Sequence, residues 1–154
     1  MPIDLAAALP ALLPRAIAWA EAESRSAIEA GAPLDFADAA LARSVGVRNP
    51  ENIRVRVVDR MPIPDDAQLQ AAAIQAGLLA ADTLGLTLGY AVFVLRGHEA
   101  IARLRSHEFR HVYQYECAGS IAAFLPVYLR EIVVWGYAQA PSEIDARAHE
   151  RDGV

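Results

Sequence analysis

The sequence contains no lysine and only one cysteine. All 14 of its basic residues are arginine, set against 19 acidic residues, and the formal net charge is −5. No cluster of basic residues occurs, which argues against nucleic acid as a partner, because binding of a phosphate backbone requires a positively charged stripe. Cys117 has no second cysteine with which to form an internal disulfide. This favours a reducing compartment, and we predict a cytoplasmic protein.

Long uninterrupted apolar runs are also lacking, although 55% of the residues are hydrophobic. The opening "MPIDLAAALPALLPRAIAWA" is apolar like a signal peptide, but it lacks a positively charged start and contains Asp4 and Arg15. The segment from Leu69 to Leu95 is broken by polar residues and glycines, so it does not read as a membrane span. The later run "SIAAFLPVYLREIVVW" carries Arg130 and Glu131 near its middle, which makes membrane association an unfavoured interpretation.

The length of 154 residues suits a single domain, with N-terminal helices in residues 1–48 and a core in residues 50–154. Apolar periodicity and cap residues predict a helix-rich α+β fold with a small sheet. Helices are predicted over residues 11–30, 35–45, 66–81, 99–117, 120–135 and from 141 onwards, the last opened by a capping box of Ser142 and Asp145. A strand is predicted for "NIRVRVVD" (52–59), and a strand or hairpin for "LGLTLGYAVFVLRG" (84–97). Trp19 and Trp135 stand at helical spacings and are predicted to lie in the core, and Arg110 is predicted to form an ion pair or to face water.

The stretch "HEFRH", residues 107–111, carries the clearest chemical pattern. On a helix, His107 and His111 lie one above the other and can offer imidazole nitrogens to one metal ion, as zinc requires. Glu108 points about 100° away, so it cannot join them as a ligand. It can reach a water held by the metal, take a proton from it and pass that proton to a leaving amine. The pattern therefore predicts a hydrolytic zinc site.

Two histidines do not complete a catalytic zinc site, which uses three protein ligands and keeps one position open. The extended metzincin pattern fails, because Gln114 stands where its glycine would be and Cys117 where its third histidine would be. A ligand must then come from further along the chain. Glu143 is favoured because it opens a helix after a chain break, although an acid there also stabilises a helix dipole. The candidates are Glu143, Asp145, Glu150 and, less favoured, His149.

The pair "HEFRHVYQYE" and "PSEIDARA" resembles the gluzincin-type zinc peptidases. It is most similar to small bacterial putative peptidase domains that read H-E-L-x-H-V-x-Q and then E-x-E-A. The resemblance implies a zincin-like core in residues 50–154 that binds Zn²⁺ and acts on a peptide or protein substrate. It implies His107, His111 and Glu143 as zinc ligands and Glu108 as the general base.

The resemblance also implies a strand that borders the cleft, to whose edge an extended substrate adds by main-chain hydrogen bonds. Tyr90, Ala91 and Val92 are the residues predicted to form that edge. Tyr137 is the candidate oxyanion stabiliser, with a rim aromatic as the alternative. Many gluzincins place an aspartate four residues after the ligand glutamate to orient a histidine, and this chain has Arg147 there.

The main alternative is a non-enzymatic zinc-binding interaction module, or an inactive zincin homologue. A zinc ion whose four positions are all filled by protein indicates a structural role, whereas a coordinated water indicates catalysis. Nothing in the sequence points to a particular oligomeric state.

Overall fold

The computed structural model describes residues 1–152 and has an α+β architecture, as predicted. The helices are α1 (Leu5–Ala30), α2 (Phe36–Ser44), α3 (Ala67–Gln75), α4 (Ala102–Ala118), α5 (Ile121–Trp135) and α6 (Pro141–Ala148). The strands are β1 (Ala32–Pro33), β2 (Arg54–Val58), β3 (Gly85–Leu88) and β4 (Ala91–Leu95). A short 3₁₀ turn at Pro50–Asn52 leads into β2.

Polar caps set most helix starts. The carboxylates of Asp35 and Asp66 accept backbone N–H bonds at the starts of α2 and α3, as the sequence predicts. The hydroxyl of Ser120 does the same at the start of α5. Helix α1 begins earlier than predicted, because Asp4 caps it and two prolines are accommodated within it. Helix α3 ends earlier than predicted, shortly before Gly77, whose φ of +80° takes the chain out of helical geometry.

Two further predictions are wrong. No capping box opens α6, because both the backbone N–H and the hydroxyl of Ser142 donate to Glu131 of α5. Trp135, predicted to lie in the core, is 61% exposed at the end of α5. Trp19 on α1 does pack against a core cluster.

The sheet has the order β1-β2-β4-β3. Strand β4 is central, since it pairs in parallel with β2 on one side and antiparallel with β3 on the other. The prediction that Tyr90, Ala91 and Val92 form a substrate-binding edge is therefore wrong: Ala91 and Val92 are fully buried, with neighbours on both sides. Tyr90 lies in the β3–β4 turn, and its hydroxyl donates to Glu116 at 2.7 Å. The edge next to β4 is formed by β3, and β1 forms the opposite edge.

Helices cover both faces of the sheet. Side chains of β4 alternate, so that Phe93 joins a core cluster with α1 and α3, while Val92 and Val94 join a second cluster. That second cluster includes Phe109 and Val112 of α4. The motif helix α4 thus packs against the sheet on the side opposite α1, and it contacts the edge strand β3.

Within the described residues, α1 is the one helix long and apolar enough by composition to cross a membrane. The pair α4 and α5 meets the same test only if joined, and the two helices are bent by 117° where they meet. Helix α1 buries a row of apolar residues against the sheet and α5. Only 17% of its most apolar window is buried, and core helices and N-terminal signal sequences both pass the same test.

Candidate metal centre

Helix α4 places the two motif histidines one turn apart, with ring centroids separated by 4.9 Å. Nε2 of His107 lies 3.2 Å from one carboxylate oxygen of Glu143, and Nε2 of His111 lies 3.0 Å from the other. These three residues offer ligand atoms that all lie within 4.8 Å of one another. Ligands about 2.1 Å from a tetrahedral zinc ion are separated by about 3.4 Å. The two nitrogen–oxygen distances are slightly shorter than this value, and the three ligand atoms together lie within 4.8 Å, so small side-chain shifts would bring them around such an ion.

Glu143 reaches the histidines because α6 is fixed to α5. The chain turns at Gly136, whose φ is +79°, and the Glu131 carboxylate then accepts the backbone N–H of Ser142 at 2.7 Å. Glu143 is only 1% exposed, and its second oxygen accepts a hydrogen bond from Tyr128 at 2.7 Å. It is thus a buried member of the cluster and not an acid that faces solvent at a helix start.

The outer nitrogen of His107 has a carboxylate partner. Its Nδ1 lies 2.9 Å from Oε2 of Glu150, which follows α6. Because a carboxylate only accepts, this Nδ1 carries the proton and Nε2 faces Glu143. Such a pairing fixes the orientation and tautomer of a metal-binding imidazole. Glu150, a candidate ligand from the sequence, thus contacts the outer nitrogen of His107 and not the nitrogen that faces Glu143.

The outer nitrogen of His111 is held by an amide. Its Nδ1 lies 2.8 Å from the side-chain oxygen of Gln114. The amide nitrogen of Gln114 donates to the backbone oxygen of Ser142 and to Asp145, each at 2.9 Å, so its oxygen must face the ring. His111 therefore also carries its proton on Nδ1 and turns Nε2 towards Glu143.

The remaining two candidate ligands lie outside the cluster. Asp145 forms a two-pronged ion pair with Arg110, at 2.8 and 3.2 Å. His149 directs Nδ1 to the backbone oxygen of Asp145 at 2.8 Å. Of the two predictions for Arg110, an ion pair or exposure to water, the ion pair is confirmed.

The charges of the cluster favour a cation at its centre. If each ring is neutral with its proton on Nδ1, the lone pair of Nε2 points at the Glu143 carboxylate, and these two acceptors repel each other. Burial alone lowers the pKa of His107, but the hydrogen bond to Glu143 and the charges of Glu108 and Glu143 outweigh it and raise this pKa to about 9. The same groups raise the pKa of His111 against its burial. The two rings must therefore be protonated, or share a metal ion with Glu143.

Glu108 lies beside the cluster without belonging to it. It is 5% exposed, and the hydroxyl of Thr87 donates to its Oε1 at 2.8 Å. A Cβ on Gly85 would come within 2.9 Å of its Oε2, so only glycine leaves room for the carboxylate there. Glu108 lines the same cavity as His111 and Glu143, and its charge raises the pKa of both motif histidines. Sequence reasoning missed Thr87 and Gly85, which are unremarkable within an apolar strand.

Two tyrosines complete the surroundings. Tyr137 is 41% exposed and lines one cleft together with Glu108 and Glu143. Burial and these two carboxylates raise its pKa, so its hydroxyl stays a hydrogen-bond donor at neutral pH. Tyr128 was missed by sequence reasoning, because it sits in the apolar run of α5 where it reads as a core aromatic. Burial and the Glu143 charge raise its pKa well above the usual value.

Comparison with models of protein families, with curated proteins and with solved structures found no match for this chain. Function is therefore inferred from the geometry of the cluster and from the motif alone.

Proposed function

We propose that this protein is a zinc-dependent peptidase of gluzincin type, with a zincin-like core. His107, His111 and Glu143 hold the metal, and Glu108 is the general base. The observation that supports this most is the convergence of both Nε2 atoms on the two oxygens of one buried carboxylate. Among residues 1–152 the group has three donors, which suits a catalytic site that keeps its fourth position for water or substrate.

The surrounding residues fit the steps of peptide hydrolysis. When bound, zinc supplies a Lewis acid that polarises the scissile carbonyl. Glu108 accepts a proton from the attacking water and delivers it to the leaving amine, and Thr87 holds one of its oxygens in place. The Tyr137 hydroxyl donates a hydrogen bond to the oxygen that gains negative charge.

Metal analysis and a base variant test this proposal together. We expect one zinc per chain, lost in His107→Asn and in His111→Asn. Glu108→Gln is expected to keep the zinc and to slow peptide hydrolysis by about 10²-fold to 10⁴-fold, because it removes the proton acceptor. Glu29→Gln, on an exposed part of α1, is the matched control and should change neither property. Cleavage by Glu108→Gln at the parent rate would refute the mechanism.

A second candidate is a non-enzymatic zinc-binding interaction module. It is favoured by exposed apolar residues on α5, where Val134 is 69% exposed and Trp135 is 61% exposed. This function requires stoichiometric zinc with four protein ligands and no cleavage of any peptide. X-ray absorption at the zinc edge separates the two, since a solvent oxygen in the zinc coordination shell supports the peptidase.

A further inference from the structure

An apolar cavity of about 150 Å³ lies beside the metal centre. Helices α1, α3 and α5 and strand β3 form its walls, and Glu108, His111 and Glu143 stand at its metal-binding end. The walls are built mainly from aliphatic and aromatic side chains, among them Leu12, Trp19, Leu69, Leu86, Leu125 and Leu129. The cavity therefore adjoins the group that would carry out hydrolysis.

The charges around the cavity restrict what can enter it. Among the described residues that line it, the charged groups are those of the metal centre, Glu108, His111 and Glu143, and no arginine is present. An acidic side chain would meet two carboxylates, and among residues 1–152 no arginine lines the walls to pair with it. An amide or hydroxyl would lose its bonds to water and find few partners, because the walls away from the metal-binding end are mainly aliphatic. The cavity thus selects an apolar group.

The volume restricts the size of that group. A cavity of about 150 Å³ lined by leucine, isoleucine and phenylalanine holds one benzene molecule. A phenyl ring or a branched aliphatic group of four carbons is therefore the size that fills this one.

Strand β3 offers a way to present such a group. The backbone N–H of Leu95 donates to the oxygen of Leu84 at 2.9 Å, and hydrogen-bonded pairs alternate along an antiparallel ladder. Gly85 and Thr87 consequently direct their N–H and C=O groups away from β4, to a side on which no strand of residues 1–152 pairs. Both residues also line the cavity. Thr87 is buried and Gly85 is partly exposed, so an extended peptide that pairs at the Gly85 end of β3 would lie beside the cavity.

We propose that the cavity binds a phenylalanine- or leucine-sized side chain of a peptide that extends along β3, next to the bond that is cleaved. The statement about cleavage rests on the proposed peptidase function. The statement about binding does not, and it can be measured without turnover.

Binding of small hydroxamates tests the cavity directly. Phenylalanine, alanine and aspartate hydroxamates share a zinc-binding group and differ in the side chain. Calorimetry on the zinc-loaded protein should show phenylalanine hydroxamate binding about 50-fold more tightly than alanine hydroxamate, as burial of a phenyl-sized group predicts. Aspartate hydroxamate should bind most weakly. Equal affinities for the phenylalanine and alanine compounds would overturn the proposal.

A filled cavity should lose this preference. Ala73 on α3 lines the cavity, whereas Ala71 on the same helix is exposed and does not. Ala73→Phe is expected to remove most of the difference between the phenylalanine and alanine hydroxamates, and Ala71→Phe is the matched control that keeps it. Retention of the full preference in a folded Ala73→Phe protein would contradict the assignment of the cavity.

A binding measurement on the metal-free protein tests the cavity even if the Ala73→Phe variant misfolds. Trp135→Phe leaves Trp19, a cavity residue, as the only tryptophan. Titration of toluene into this metal-free protein should change the Trp19 emission in a saturable way, and no saturable change would overturn the proposal.

These experiments distinguish refutation of the cavity proposal from refutation of the peptidase proposal. A saturable toluene signal and a phenylalanine preference, with no cleavage of any peptide by the zinc-loaded protein, support the cavity and refute the peptidase. Cleavage that is equally fast next to phenylalanine and alanine, with equal hydroxamate affinities, refutes the cavity and leaves the peptidase standing.

Discussion

Removal of zinc should reverse the way in which the stability of this protein depends on pH. In the metal-free protein the pKa of His107 is raised from 6.5 to about 9, and its side chain is only 14% exposed. A raised folded-state pKa means that protonation of His107 stabilises the fold fully below pH 6.5. That contribution is lost as the pH rises through 9. At about 1.4 kcal/mol per pH unit, the loss is on the order of 3 kcal/mol.

The zinc-loaded protein should behave in the opposite way. Bound zinc needs neutral imidazoles, so protons compete with the metal. Its apparent affinity should rise about tenfold per pH unit for each displaced proton until the pH passes 9, and the stability of the loaded protein rises with it. His111, whose pKa is also raised, acts in the same direction.

Thermal unfolding of both forms between pH 6 and 9.5 measures this difference. The midpoint of the metal-free protein should fall by about 10 °C over this range, on the basis of a few degrees per kcal/mol for a chain of this size. His107→Asn should reduce the fall to the part that comes from His111, whose pKa is also raised. His149→Asn, which alters a histidine outside the cluster, should leave the fall unchanged. A metal-free midpoint that stays constant or rises from pH 6.5 to 9.5 would refute the charge arrangement described above.

Three further variants separate the parts of the site. Gly85→Ala should lower the hydrolytic rate and leave zinc affinity unchanged, since the new Cβ would displace the Glu108 carboxylate, and rate and zinc titration together check this. Glu150→Gln should weaken zinc binding by about 10-fold to 100-fold, because it removes the carboxylate that orients His107, and competition with a chelator measures it. If the Tyr137 hydroxyl stabilises the oxyanion as proposed, Tyr137→Phe should reduce kcat by about 10²-fold to 10³-fold at unchanged zinc content. An unchanged kcat would show that Tyr137 does not have this role.

The parts of the site that are local in sequence could be predicted. A spacing of four residues on one helix places His107 and His111 together whatever the rest of the chain does. Glu143 could be favoured among several carboxylates from its place at a helix start and from the resemblance, but its contact with the histidines could not be derived from spacing. Its position depends on a turn at Gly136 and on the bond from Ser142 to Glu131, and no local pattern specifies such contacts.

The edge of the sheet could not be predicted for a similar reason. Strands β3 and β4 are both apolar and adjacent in sequence, so either could have formed the border. The parallel pairing of β2 with β4, with Val55 opposite Val92, places β4 inside the sheet and leaves β3 at its edge. This pairing joins segments that are separated in sequence by the whole of α3. Thr87 and Tyr128 are unremarkable in sequence, and they acquire a role only because folding brings them to Glu108 and Glu143.

The side chains that α4 contributes to the candidate site contact two different elements, α6 and β3. The two motif histidines face α6, which supplies Glu143, whereas Glu108 faces the edge strand β3, which supplies Thr87. The buried residue Phe109 anchors the same turn of α4 in the core. The proposed base and the proposed ligands are therefore held by separate contacts, and the rigidity of one helical turn sets the distance between them. The same division explains why the apolar cavity reaches the metal centre, since it occupies the space between β3 and α5 that neither α6 nor β3 fills.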